Sequence, residues 1–269
     1  MYDSVFGAVL QQEGAMVRGL YTAATGMIVQ RNKMDVVTNN IANVETAGYK
    51  ADTLVTSTFD EVMLQRLHDP NVNFVGAQDV GPYAYGTHVE ELFTDFSQGA
   101  VEETGRNTDL AILGDGFFSV EAQDGRVLYT RSGNFTVNAE GYLTTQDGEY
   151  VLGQNGRVFV GSEDFTVLAD GRVTGPRAVE DTLAIVSFED PGVLRKAGNN
   201  LYDIYGGAQP IPAGARQIRQ GALEGSNVSA IDEMVNMITV YRQYEINQRI
   251  VNMTDRSLEQ TVTLGRVGG

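Results

Sequence analysis

Few side chains in this sequence are of the types that do chemistry. The only imidazoles are His68 and His88, and there is no cysteine. Neither histidine has a second ligand-type residue at a spacing that a helix or turn would turn into a metal site. The carboxylates are abundant but poorly placed. Glu102-Glu103 and Glu189-Asp190 are adjacent pairs, so on a strand their side chains would point to opposite faces and could not share a reacting bond. Two distant carboxylates could still flank a glycosidic bond, which keeps a β-rich glycan hydrolase as a remote alternative, although no residue marks such a pair. Gly114-Asp115-Gly116 has the start of a dinucleotide loop but neither the third glycine nor the following helix. Walker, HExxH and GxSxG signatures are absent. The aspartates of Asp124-Gly125, Asp147-Gly148 and Asp170-Gly171 are explained by turn chemistry, not calcium. The expectation is a protein that is not an enzyme, with no catalytic, cofactor-binding or metal residues. What remains unusual is an amide cluster, Asn39, Asn40 and Asn43, whose side chains compete for backbone groups and so favour a turn or a contact surface over helix interior.

Charge and composition narrow the partners. A formal net charge of −16 argues against nucleic acid, whose phosphates call for clustered Lys and Arg. No apolar run approaches the ~20 residues of a membrane span, so no direct membrane insertion is expected. With 42% hydrophobic and 20% charged residues the chain has a globular composition.

The elements that must position these residues differ along the chain. Residues 1–15 lack a charged start and an apolar core, so they make a poor secretory signal and read as a disordered extension. From there to residue 50 the spacing predicts an axial helix. Leu20, Met27, Met34 and Ile41 stand seven apart, with Ala24, Ile28 and Val37 filling between, a coiled-coil-like stripe. The helix must stop near Thr46-Ala47-Gly48, where Gly48 suits a left-handed position. Residues 51–105 read as an extended linker or hairpin region, with a short helical turn over Phe59–Leu67 and a loop or extended hairpin over Asn71–Gly86. Residues 106–222 alternate in strand fashion, with Asn155-Gly156 joining the Asp-Gly pairs as hairpin turns. Residues 223–269 predict a second axial helix, capped by Ser229, with the stripe Ile231, Met234, Val235, Ile238 and Tyr241. The fold class expected is α+β: terminal helices pairing as a coiled-coil-like stalk, with a central antiparallel β-rich domain. Two helices alone leave much apolar side surface, so further copies are expected to pack around them.

Three stretches carry a family resemblance. The first is Leu20-Tyr21-Thr22-Ala23-Ala24-Thr25-Gly26-Met27 leading into Met34 to Lys50, centred on Asn39-Asn40-Ile41-Ala42-Asn43 and closing on Gly48-Tyr49-Lys50. The second is Thr108 to Val120 followed by Tyr129-Thr130-Arg131-Ser132-Gly133-Asn134-Phe135. The third is Leu223-Glu224-Gly225-Ser226-Asn227-Val228, then Glu233-Met234-Val235 and Arg242-Gln243-Tyr244-Glu245. Together they resemble the bacterial flagellar rod and hook proteins, closest to the distal rod type or a close rod paralogue. A proximal rod paralogue or a short hook-type axial protein is the alternative. The resemblance implies a structural subunit that self-assembles into a helical tubular drive shaft. It would be exported by the flagellar type III apparatus, reside in the basal body outside the cytoplasmic membrane, and contact other rod and hook axial proteins. The assembly interface expected comprises Leu20, Ala24, Met27, Met34, Asn39, Asn40, Ile41, Asn43, Gly48, Ile231, Met234, Val235, Ile238 and Tyr241.

Overall fold

The computed structural model describes residues 2–66, 78–212 and 217–267. A helix α1 (Tyr2–Ala42) opens the chain and a helix α2 (Ala230–Val267) closes it, with strands between. The architecture is α+β. α1 runs through residues 2–15, the segment that the sequence sets apart as an extension. His68 lies outside the described residues. The chain divides into two compact units.

The first unit comprises residues 1–39, 53–93 and 231–269. It holds most of both helices and two narrow ribbons. Asp52–Thr58 pairs with Thr87–Thr94, and Val62–Arg66 pairs with Gln78–Tyr83. The helical turn expected over Phe59–Leu67 is therefore a strand in its described part, Val62–Arg66, in register Val62↔Tyr83. Its apolar residues fit either period over so short a run, and the partner strand Gln78–Tyr83 decides for β. Gly86 (φ +131) approaches α1 so closely that a Cβ there would meet the Thr25 Oγ1.

The second unit comprises residues 40–52 and 94–230. Its largest sheet orders the strands Leu194–Gly198, Leu201–Ile204, Val127–Thr130, Phe117–Glu121, Tyr150–Gly153, Leu143–Thr144 and Thr136–Val137. All of these neighbours are antiparallel. The expected glycine turns are present, with positive φ at Gly125, Gly148, Gly156 and Gly171. The sheet is covered on both faces. Phe118, Val120, Leu128 and Phe135 join one apolar cluster, while Phe117, Tyr129, Leu194 and Tyr202 join another. The unit also holds a small sheet of Thr166–Val167, Arg172–Thr174 and Asp181–Thr182 and two short ladders, Leu110–Leu113 with Gln217–Gln220 and Val101–Glu103 with Ala222–Glu224.

Candidate functional site

The chemistry of the second unit gathers around one carboxylate. Glu224 ends a short strand in register with Val101 and is only 2% exposed. Its Oε1 accepts from the Lys50 Nζ at 2.6 Å and from the Gly99 amide at 3.1 Å, and its Oε2 accepts from the Arg131 Nε at 2.6 Å. Both cations are buried, Lys50 at 1% and Arg131 at 5%. An isolated ion in such a place would be untenable, so each remaining donor must find a partner. Lys50 also donates to the Ser97 carbonyl at 2.6 Å. The Arg131 guanidinium donates to the carbonyls of Ile112 (2.9 Å), Gly114 (2.6 Å) and Gly116. Burial pulls the Lys50 ammonium below its ordinary range, against the opposing pull of Glu224.

Residues 40–52 are threaded into this cluster by backbone contacts. Asn40 uses its carboxamide as a strand would use its backbone: Nδ2 donates to the Asp52 carbonyl at 2.9 Å and Oδ1 accepts from the Asp52 amide at 3.0 Å. The same Oδ1 accepts from the Tyr49 hydroxyl at 3.0 Å. Asn43 closes the turn after α1, its Oδ1 accepting from Thr46. Gly48 (φ +67) donates its amide to the Glu224 carbonyl at 2.7 Å. A Cβ on Gly48 would lie 2.4 Å from the Ser132 amide nitrogen, so only glycine fits. Asn227 fastens the other side, with Oδ1 accepting from the Ala51 amide and Nδ2 donating to the Asp95 carbonyl, both at 2.8 Å. Lys196 crosses the Tyr49 ring at 4.2 Å, pairs with Asp52 and donates to the Lys50 carbonyl. Such a network rigidifies the chain by satisfying every member. Its chemistry is cross-linking.

The predicted interface residues fall into three groups. Asn40 and Gly48 lie inside this network, while Asn39 is exposed and Asn43 and Ile41 are half-buried. In the first unit Leu20, Ala24, Met27 and Met34 are half-buried, and the fully covered side chains of that part of α1 are Ala23, Thr25, Val29 and Val37. On α2 the stripe Ile231, Met234, Val235, Ile238 and Tyr241 is exposed throughout, from 52% at Tyr241 to 76% at Ile231. The covered side of α2 is a different line, Met237, Val240, Tyr244, Asn247 and Val251. A Cβ at Gly26 of α1 would come 2.9 Å from the Asn247 Nδ2, so glycine permits that approach. Lys50, Arg131 and Glu224 were not among the predicted sites. A signal existed: Arg131 continues the alternation of Val127 and Tyr129, which places a charge on the strand face of the buried Tyr129.

Elsewhere among the described residues no group of three or more His, Cys, Asp or Glu could hold a metal ion. Among the described residues no helix is long and apolar enough to cross a membrane. His88 stacks on Phe59 at 4.9 Å and its Nε2 meets the Ser57 hydroxyl at 3.3 Å.

Comparison with known proteins matches three family descriptions. Residues 20–50 match "Flagella basal body rod protein", residues 111–175 match "Flagellar hook protein FlgE/F/G D1 domain", and residues 219–264 match "Flagellar basal body rod FlgEFG protein C-terminal". Each matched stretch supplies one member of the buried triad: Lys50, Arg131 and Glu224. Among whole proteins, the chain is 34% identical to the flagellar basal-body rod protein FlgG of Bacillus subtilis, over 93% of this chain and 100% of the relative. It is 34% identical to the flagellar basal-body rod protein FlgF of Caulobacter vibrioides, over 94% of this chain and 100% of the relative. It is 30% identical to the flagellar hook-basal body complex protein FlhO of Bacillus subtilis, again over 94% and 100%.

Proposed function

The chain belongs to the flagellar basal-body rod family, and from that membership we propose how it builds the rod. It is a structural subunit of the flagellar basal body, close to the distal rod protein. In our reading it self-assembles: α1 and α2 pair as a coiled-coil-like stalk, stalks of successive copies stack into a helical tube, and the β-rich part, residues 106–222, decorates it. The subunit is delivered by the type III export apparatus and meets other rod and hook proteins at the ends of its stack.

The observation that carries this reading is the bare apolar stripe of α2. Side chains such as Ile238, 53% exposed, would each gain roughly 1.5–3 kcal/mol on full burial, and a helix of that kind is completed by neighbours rather than by its own chain. The clasp around Glu224 serves the same end by fixing residues 40–52 on a rigid scaffold. Identity to FlgG and to FlgF relatives is equal at 34%, so the position along the rod, distal or proximal, is a matter for imaging. Basal bodies isolated from cells carrying a tag in the exposed Gly206-Gly207 turn should show the label at a fixed level of the distal rod. Label at the proximal end would assign the paralogue role, and basal bodies without any label would refute the assembly reading.

A further inference from the structure

The exposed side of α2 is not only apolar. Arg242, Arg249 and Arg256 stand seven residues apart and all three are exposed. None of them forms an ion pair among the described residues. With about 3.6 residues per turn they lie within about 40° of one another and follow one another at steps of about 10 Å. Ile231, Val235, Ile238, Ile246 and Met253 share that face and are exposed as well. The result is one continuous ridge of isoleucine, valine and methionine edged by arginine. It stands on a chain whose formal charge is −16, where two copies brought together would repel.

The same chain carries the complement. In the ribbon strand Thr87–Thr94, the exposed Glu90 and Leu92 stand two residues apart on one face, and the exposed Phe93 lies on the other. A two-stranded ribbon alone is at best marginally stable in water, so one with apolar groups exposed on both faces is suited to being covered. We propose that the arginine ridge of α2 docks on the Glu90–Leu92 face of this ribbon in a second copy of this chain. The apolar groups supply buried area, and the arginine–carboxylate pairs supply register and offset the repulsion between like-charged subunits. This rests on the assembly reading above and names the surfaces it uses.

The test is a charge swap in cells that lack the native gene, with the amount of chain in purified basal bodies as the readout. R242E/R249E/R256E should reduce incorporation at least about tenfold, R242K/R249K/R256K should retain it, and E90R added to the reversed helix should restore it, because like-charge juxtaposition is what excludes the wrong pairing. The substituted positions are exposed, so circular dichroism and the melting curve of the purified reversed variant should match wild type. Independently, two differently tagged chains, one Ile246→Cys and one Leu92→Cys, should form a disulfide-linked species carrying both tags; the chain has no cysteine of its own to confuse the result. Undiminished incorporation of the reversed helix, or crosslinks only to a protein of another mass, overturns the ribbon as occupant while leaving rod assembly intact. Absence of the wild-type chain from basal bodies overturns the assembly reading and this inference with it.

Discussion

A single carboxylate answers for two buried cations, and that asymmetry fixes what substitutions should do. Glu224→Gln leaves both Lys50 and Arg131 without a counter-charge, and a loss of about 3–5 kcal/mol in urea unfolding is expected. Lys50→Met leaves Glu224 still held by Arg131 and by the Gly99 amide, so its loss should be clearly smaller. The reverse order would move the hub from Glu224 to Lys50. Tyr202 is the opposite case. Its hydroxyl is fully buried and finds no partner among the described residues. Burial, reinforced by the charge of Asp52, pushes its phenol far above the ordinary value. The unfolded chain therefore releases this proton first as pH passes about 10, and stability should fall with rising pH above that point. Tyr202→Phe should raise stability by about 1 kcal/mol at neutral pH and flatten the alkaline decline, part of which persists through Tyr129, likewise raised by burial. A variant less stable than wild type at neutral pH would show that the hydroxyl has a partner in solution.

Among the elements, what could be read from the sequence depended on the reach of the signal. The helices and the Asp-Gly hairpins are local, because heptad spacing and positive-φ glycines need no distant partner to be recognised. The strand Phe117–Glu121 is different. Alternation suggests a polar Ser119 facing water, yet Ser119 is buried with its neighbours because the sheet is covered on both faces. The strand Val62–Arg66 differs from the helical turn expected there because its partner, Gln78–Tyr83, is not adjacent in sequence. On α2 the apolar stripe was legible, but which side the chain itself covers was not, since Met237, Val240 and Val251 make an equally regular line. Ile238→Asp separates the two sides. In the purified chain it should change stability by no more than about 0.5 kcal/mol, as exposed substitutions do, while incorporation into basal bodies is abolished because the charge would be buried there. A variant that unfolds in dilute solution would place Ile238 in the chain's own core.

For the whole molecule, the three family-matched stretches are remote in sequence and joined by bonds rather than by chain connectivity. A specific protease site placed at the exposed Asp60-Glu61 should therefore cut the chain without releasing it. The piece bearing Lys50 and the piece bearing Arg131 and Glu224 should elute together in gel filtration and part only in denaturant. Separation under native conditions would show the clasp too weak to act as a link. The Lys50–Glu224 contact spans 174 residues of chain, so it ranks among the most non-local and slowest kinds of contact to form. That distance gives the clasp a meaning in time. For a chain arriving from its first residue onward, Lys50 waits for its acid until most of the polypeptide has been delivered, and a chain cut short of residue 224 never supplies it. The lock thus also reports that the chain has been delivered through all of its strands, up to the start of α2.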